Sequence, residues 1–529
     1  MSQVSRRAFL KQTAAMSAMG SALPLGVNLS AITQAAAQSA PSDYRALVCI
    51  FMYGGNDAYN TVLATDSTSW THYVNHRNPR LRNPQDSSTS IALLAPGTTP
   101  DNTASGGSPE KLGGVLPINH AGRAVHTGRQ FAMHPALAQV QQLHQAGRVA
   151  VLANVGPLTR PTTKADWSNA RFEKPAKLFS HNDQQATWQS FGVEGSTEGW
   201  AGRMGDLLMA GNATSAGANM ALIQRSFTCM TPAGASVWMN GRAVLPYQTS
   251  SSGIPSLGTR TYGYTQLQTA LSNIMSSASS SNYLVQDHQQ LVQRSFQAGN
   301  LLSSRLPVAN QAPWGTPGSG NYNAYSDPML QYMSPTEGST RFNSLAAQLQ
   351  MVARLIDVNR SAGLGIKRQF FMVSLNGLDT HDNQNQAHAD VMAQLNHAMA
   401  YFDTLLGNMP GGSMRNQVTT FTASEFGRSF TNNGDGTDHG WGSHHLIMGG
   451  AVRGTEVYGT FPQYSTADAN GVFASPDQIQ NGVMLPSTSV DQYAYTLGKW
   501  MGVSPTDLAS ILPNLSQFNS NAYDLGFML

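Results

Sequence analysis

The chain has 529 residues, of which only 11% are charged, against about 25% in an average globular protein. Its formal net charge is +2, and three of its cations lie in the first 37 residues, so the rest is close to neutral. A near-neutral surface offers no basic field for a phosphate backbone, which argues against nucleic acid as a partner. The absence of any run of about 20 uninterrupted apolar residues excludes a membrane-spanning helix, and two cysteines are too few for a disulfide scaffold.

The first 37 residues have the organisation of an export signal. Arg6 and Arg7 stand side by side, a mildly apolar segment follows, and residues 35–37 read Ala-Ala-Ala, a small-x-small cleavage site. This pattern resembles a twin-arginine signal peptide, and an ordinary N-terminal helix is the alternative. The resemblance implies the twin-arginine export machinery as a partner, folding before export, and a periplasmic or secreted bacterial protein.

Five short apolar runs predict buried strands. They are residues 45–53, 149–155, 369–375, 417–422 and 446–448. Apolar residues at helical spacing predict helices over 135–145 and 488–501. The alternation of buried strands with helices favours an α/β domain over 44–529, with a largely parallel central sheet and helices on both of its sides.

Residues 212–341 differ in composition from the rest of this domain. They are rich in Ser, Thr, Gly, Asn and Gln, most strongly at 275–281. We expect this segment to be an inserted cap or subdomain on the main sheet, with strands near 221–223 and 236–239. For its serine-rich parts, a flexible linker is the alternative interpretation.

Metal-ligating side chains are concentrated after the predicted strands. Six of the 14 histidines lie between positions 381 and 445. Asp379 and His381 follow one strand, Glu425 follows another, and Asp57 follows the first. Because the carboxyl ends of parallel strands meet at one edge of a sheet, these groups are expected to form a metal site there. Individually, Asp379 could instead cap a helix, and Glu425 could pair with Arg428.

Six motifs together resemble the bacterial exported family called domain of unknown function 1501. They are Gly54-Gly-Asn-Asp57, Ser180-His181, Gly199-Trp-Ala-Gly-Arg203, Asp379-Thr-His-Asp-Asn-Gln384, Ser424-Glu-Phe-Gly-Arg428 and Asp438-His-Gly-Trp-Gly-Ser-His-His445. That family is similar to the alkaline phosphatase and sulfatase superfamily. The resemblance implies a three-layer α/β/α sandwich with two metal ions at the strand ends and a hydroxyl nucleophile at a helix start.

Carried over residue by residue, the resemblance implies a ligand set for these ions. Its members are Asp57, Asp379, His381 (with His388 as the alternative), Glu425, Asp438, His439, and His444 or His445. Zinc is the expected metal, and manganese, calcium and magnesium are the alternatives.

The resemblance also implies an activity, the hydrolysis of phosphate or sulfate esters. Ser180 or a metal-activated hydroxide would attack a small ester substrate, and Arg203 or Arg428 would neutralise its charge. Ser180 could instead be only a helix cap, and both arginines could be structural. The alternative function is a catalytically silent exported binding or assembly protein that keeps the fold. A second alternative is a surface carbohydrate-binding module, which the polar, sparsely charged composition suggests.

The export signal yields the first testable prediction. Replacing Arg6 and Arg7 by lysine should leave the uncleaved precursor in the cytoplasm, because the paired arginines are the recognised feature of such a signal. Cell fractionation and immunoblotting measure this directly. Unchanged amounts of mature protein outside the cytoplasm would contradict the assignment.

Overall fold

The computed structural model describes residues 43–212, 223–254 and 282–529, together with residues 270 and 273. In chain order its strands are β1 Arg45–Met52, β2 Val62–Ala64, β3 Leu116–Ile118, β4 Phe131–Met133, β5 Val149–Gly156, β6 Cys229–Thr231, β7 Tyr247–Gln248, β8 Gln331–Met333, β9 Thr340–Phe342, β10 Arg368–Leu375, β11 Val418–Ser424, β12 Arg428–Asn432, β13 Thr437–His439, β14 Ser443–Met448, β15 Val457–Tyr458 and β16 Thr488–Ser489. The predicted signal peptide lies outside the described residues.

The α-helices of the described residues are α1 Ala58–Thr61, α2 Ser67–Arg77, α3 Pro109–Leu112, α4 Ala138–Gln145, α5 Lys164–Ser168, α6 His181–Ser190, α7 Trp200–Leu208, α8 Tyr283–Arg305, α9 Ser344–Ser361, α10 Gln384–Gly407, α11 Val490–Met501 and α12 Pro505–Ile511. None of the helices described is long and apolar enough to cross a bilayer.

Strand β1 lies in the middle of a nine-stranded sheet with the order β15-β5-β14-β11-β1-β10-β6-β7, and β16 also pairs with β5. Seven of its eight residues are buried, as expected for a strand that is covered on both faces. Alternate β1 side chains enter two separate hydrophobic clusters: Val48 and Ile50 pack with α9 and α10, whereas Leu47 and Cys49 pack with α7 and α11. Helices therefore cover both faces of this mixed α/β sheet.

The register of the three central strands determines where the following loops meet. Strand β1 pairs in parallel with both β10 and β11, and Met52 at its end lies opposite Leu375 and Ser424. The three strands thus end at the same level. The loops that begin at Tyr53, Asn376 and Glu425 must therefore leave the sheet side by side.

The structure confirms the strand expected at 446–448 and corrects the one expected at 236–239. The run 446–448 is part of β14, which lies antiparallel to both of its neighbours within the mostly parallel sheet. Residues 236–239 are not a strand, because Val237–Met239 form a 3₁₀ turn in which Ser236 caps the N–H of Trp238. Of the strand expected at 221–223, residues 221 and 222 lie outside the described residues.

Part of the polar segment 212–341 belongs to the main sheet itself. Strand β6 pairs in parallel with β10, and β7 pairs with β6 at the sheet edge. Strands β8 and β9, by contrast, form a separate antiparallel hairpin.

Several histidines are buried in this fold without an acidic partner. Burial lowers the pKa of His76, His444 and His445 to about 3, and that of His388 to about 4. Because these values lie below the ordinary histidine value, the unfolded chain takes up protons first as the pH falls. Stability that is fully present above about pH 6.5 is therefore lost as the pH decreases below it.

The second prediction isolates one of these histidines. Between pH 7.5 and pH 5 the wild type should lose about 2 kcal/mol of unfolding free energy through His445 alone. Over the same pH interval, the unfolding free energy of His445→Gln should fall by about 2 kcal/mol less than that of the wild type. Urea denaturation in the presence of a chelator measures both values. Thr422→Val, which removes a non-titrating neighbour of the ring at 3.4 Å, should keep the wild-type pH dependence. An equal pH dependence in the wild type and His445→Gln would show that this ring is not buried in its neutral form.

Candidate metal centre

The loop after β1 contacts the loop after β10 because of a glycine. Gly54 has φ +114°, and a Cβ atom built there would lie 2.3 Å from the backbone nitrogen of Asp379. A side chain at this position would push the two loops apart. Gly54 therefore permits the close approach that brings Asp379 to the centre of the sheet edge.

Arg428 holds this junction together from the inside. Its side chain is fully buried, and one terminal nitrogen donates to Asp379 Oδ1 at 2.7 Å and to the Gly54 carbonyl at 3.1 Å. The rest of the guanidinium is bonded to Thr437. Strands β12 and β13 form a hairpin in which Arg428 lies opposite His439. The same hairpin thus supplies both the cation that orients Asp379 and an imidazole beside it.

Two imidazoles face the two oxygens of Asp379. His181 Nε2 lies 3.4 Å from Oδ2, and His439 Nε2 lies 3.2 Å from Oδ1. His181, Asp379 and His439 each place one potential ligand atom within 4.8 Å of the other two. His181 is the first residue of α6, so its position depends on where that helix begins.

Each of these imidazoles is held by its other ring nitrogen. His181 Nδ1 lies 3.1 Å from Glu425 Oε1, and His439 Nδ1 lies 2.7 Å from the carbonyl of Phe179. Such partners select the tautomer that leaves Nε2 free as a ligand, the arrangement found around protein-bound metals. Glu425 is fully buried and also accepts from the N–H of Gly54 at 2.8 Å. Glu425 therefore orients His181 and does not contact Asp379.

The ionisation of the site suits a cation. Partial burial acts to raise the pKa of Asp379, but the hydrogen bond and charge of Arg428 lower it overall. Burial lowers the pKa of His439, which keeps its ring neutral. The hydrogen bond to Glu425 raises the pKa of His181, so protons compete there with a bound cation.

A third imidazole lies on the solvent side of the cluster. His381 Nε2 is 3.0 Å from both Asp379 Oδ1 and His439 Nε2, and its side chain is 46% exposed. Its Nδ1 lies 3.5 Å from Asp438 Oδ1. Of the pair His381 and His388, only His381 reaches the cluster. His388 is buried against Thr61 and His134.

The spacing of these atoms is in the range of ligands around one ion. Ligands that bind zinc at about 2.0–2.1 Å lie roughly 3.3 Å from one another. The Nε2 atom of His181 lies 3.4 Å from Asp379 Oδ2, and those of His439 and His381 lie 3.2 Å and 3.0 Å from Oδ1. Two or three imidazole nitrogens with one carboxylate match zinc better than calcium or magnesium, which prefer oxygen ligands.

Asp57 is separate from this cluster and has a different function. It is fully buried and forms a bidentate ion pair with Arg77, with Nη2 at 2.9 Å from Oδ1. It also caps the short helix α1 through the N–H of Tyr59. With both oxygens engaged by Arg77, Asp57 is a structural residue in this conformation and not a ligand.

His444 and His445 also lie outside the cluster. They are consecutive residues of β14, so their rings point to opposite faces of the sheet. His444 accepts from the N–H of Asn154 and packs on Phe461, whereas His445 lies between Trp188 and Tyr493. Both are buried, so they are core residues.

The predicted nucleophile and the second arginine have local partners. Ser180 is the N-cap residue of α6, but its hydroxyl donates to Asp183 Oδ2 at 2.8 Å and caps no backbone N–H. Arg203 on α7 donates to the Ser190 carbonyl at 2.9 Å and lies over the ring of Phe191. Neither residue has a hydrogen bond or ion pair to the cluster.

Two members of the site are not evident from the sequence: His181 as a candidate ligand and Phe179 as the partner of His439. In the sequence His181 stands out only as the neighbour of Ser180. The sequence feature that could have indicated His181 is its position at the start of a predicted helix, because a histidine there can face the edge of the sheet. The role of the Phe179 carbonyl has no signal in the residue type.

These features define a mixed α/β protein with a candidate metal centre at the carboxyl edge of its sheet. The chain belongs to the family described as a protein of unknown function, DUF1501, which matches residues 44–512. No curated protein matches the chain significantly.

One solved structure is similar at a low level. It is described as the crystal structure of Ps i-CgsB in complex with k-i-k-neocarrahexaose. It is 9% identical, with 72% of this chain and 71% of the other covered and a TM-score of 0.26. This degree of likeness carries no information about the function of the present chain.

The cluster generates the third prediction. Asp379→Asn should abolish zinc retention, because Asn keeps an acceptor for Arg428 but removes the ligand charge. Glu425→Gln should weaken zinc affinity about 10–100-fold, since it loosens the orientation of His181. Elemental analysis and competition with a chromophoric chelator measure both effects.

Glu173→Gln is the matched control, because that carboxylate is 75% exposed and pairs only with a surface arginine. It should retain the full metal content of the wild type. A zinc content in Asp379→Asn equal to that of the wild type would contradict the proposed ligand set.

Proposed function

We propose that the protein is an exported, metal-dependent hydrolase of phosphate or sulfate esters, with an alkaline-phosphatase-like α/β/α sandwich as its scaffold. The twin-arginine export machinery would be its partner before cleavage, and its site of action would be the periplasm or the exterior. The observation that carries this proposal is the convergence of His181, Asp379 and His439 at the carboxyl ends of parallel strands, which is where α/β folds bind ligands.

We propose one ion at this cluster rather than two. The three residues His181, Asp379 and His439 would hold it and leave a coordination position open to solvent, a pattern typical of catalytic zinc. A bound divalent ion supplies Lewis acidity to an ester oxygen. A second ion would need Asp57, whose oxygens are both committed to Arg77.

His381 is the residue best oriented for proton transfer. It is the most exposed imidazole of the group, and Asp438 faces its Nδ1 at 3.5 Å. Its Nδ1 faces Asp438, and its Nε2 lies on the cluster side, where it can take a proton from an attacking water in place of its contact with Asp379 Oδ1. We assign this role to His381 in preference to nucleophilic attack by Ser180, whose hydroxyl is bound to Asp183.

Arg428 acts on the substrate only indirectly in this proposal. Its side chain is 0% exposed, so its charge orients Asp379 and does not contact the ester. Arg203 has no part in the reaction.

A catalytically silent binding or assembly protein is the second candidate. The observation that favours it is the ion pair between Arg428 and Asp379 Oδ1, which already neutralises the carboxylate without a metal. In that case the cluster would be a structural polar network at the sheet edge.

The fourth prediction separates the two candidates. Zinc-loaded protein should hydrolyse p-nitrophenyl phosphate or p-nitrophenyl sulfate. His381→Gln should retain the metal and lower kcat about 10²–10⁴-fold, because it removes proton transfer but not the ion. Release of p-nitrophenol, followed by absorbance, and the zinc content are measured on the same sample. Retained metal with no hydrolysis of either ester by the wild type would favour the silent protein.

A further inference from the structure

A second cavity lies away from the candidate metal centre, beside helix α9. It has a volume of about 530 Å³, in the range of sites for small ligands. Arg354 of α9 forms one wall, and the loop with Val308 and the polar residues 320–325 forms the others. None of the described lining residues is acidic.

Arg354 is a buried cation without a counter-charge. The residue is only 7% exposed, and its Nε donates to the Pro307 carbonyl at 2.8 Å. Over the described parts of the chain, its two terminal nitrogens have no hydrogen-bond partner and no carboxylate pairs with it. Burial lowers the pKa of Arg354 to about 10, so the group stays charged at neutral pH.

The nearby acid, Asp327, forms no ion pair with Arg354 among the contacts of the described residues. Asp327 uses its oxygens to accept hydrogen bonds from Thr316, Met329 and the hydroxyl of Tyr322. A buried guanidinium without a partner is costly, and its planar donors match the oxygens of a carboxylate or sulfate. The cavity therefore has the electrostatics of an anion site.

The remaining walls suit a sugar ring. The side chain of Tyr325 is 71% exposed, and its ring is supported by Phe342 at a centroid distance of 4.4 Å. Asn310 and Asn321 line the same cavity, and side-chain amides bond hydroxyl groups, although the Asn310 nitrogen already donates to the Gly318 carbonyl. An exposed, supported aromatic ring beside neutral amides offers one apolar face and several hydrogen-bonding groups to a pyranose.

We propose that this cavity binds an acidic saccharide, with Arg354 on its carboxylate or sulfate and Tyr325 against its ring. The site is separate from the metal cluster and does not depend on the hydrolase proposal. No residue is shared between the two.

Isothermal titration calorimetry on the mature protein in a chelating buffer tests this proposal. The probes are glucuronate, glucose 6-sulfate, glucose and inorganic sulfate. One of the two acidic sugars should bind at least tenfold more tightly than glucose and inorganic sulfate. The acidic sugar that binds more tightly shows whether the site prefers a carboxylate or a sulfate. No binding of either acidic sugar, or equal binding of glucose, overturns the proposal. Inorganic sulfate binding as tightly as the better acidic sugar overturns the saccharide part.

Variants connect the binding to this cavity. Arg354→Met should weaken the binding of the acidic sugar at least tenfold and leave the binding of glucose unchanged. Tyr325→Ala, at an exposed position where folding is not at risk, should weaken the binding of both the acidic sugar and glucose. Val308→Trp, at a position 50% exposed on the cavity wall, should block the binding of the acidic sugar. If Arg354→Met fails to fold, this variant tests whether the sugar binds in this cavity. Glu173→Gln, the exposed control variant, should bind like the wild type. Loss of binding in Asp379→Asn, with retention in the cavity variants, would assign the ligand to the other site.

Discussion

The ion pair between Arg428 and Asp379 is the interaction on which the sheet edge depends. The guanidinium of Arg428 is fully buried and needs polar partners, although its pair with Asp379 is partly screened because that carboxylate is 43% exposed. Arg428 meets this requirement through the Asp379 carboxylate in the loop after β10, the Gly54 carbonyl in the loop after β1, and Thr437 at the start of β13. The loops are thereby fixed relative to each other before any ligand is present.

This arrangement explains why the histidines are oriented as they are. The hairpin that carries Arg428 also carries His439, and the start of α6 carries His181 against Glu425. Each imidazole has one nitrogen bonded within the protein and one directed to Asp379. Such preorganisation means that little side-chain entropy is lost when an ion binds. The same contacts would also stabilise the sheet edge without a metal. The presence of a bound ion is therefore what distinguishes a metal centre from a structural polar network.

Much of the framework was predictable from local patterns. Buried strands at 45–52, 149–156, 368–375 and 418–424 appear in the sequence as short apolar runs that end in polar residues, because both faces of the sheet are covered. Parallel pairing then brings Asp379 and Glu425 to one edge although 46 positions separate them. The direction of β14 was not predictable, because a fully buried strand has the same composition in either orientation.

The individual roles at the edge depended on partners distant in sequence. Asp57 has the position of a ligand, but Arg77 on α2 pairs with it, and no pattern near Asp57 indicates this. Glu425 follows its strand as expected, yet it lies behind His181 and not beside Asp379. The pair His444 and His445 resembles a ligand motif, but alternation along β14 places the two rings in the two cores. Residue type and spacing thus indicate the edge, whereas three-dimensional partners decide which residues face the ion.

Anomalous diffraction from crystals of the mature protein grown with zinc tests the central claim most directly. A single strong peak at the zinc edge should lie about 2.0–2.2 Å from His181 Nε2, His439 Nε2 and one oxygen of Asp379. Absence of a peak there, or a peak at Asp57 or His444 instead, would contradict the assignment of the metal centre.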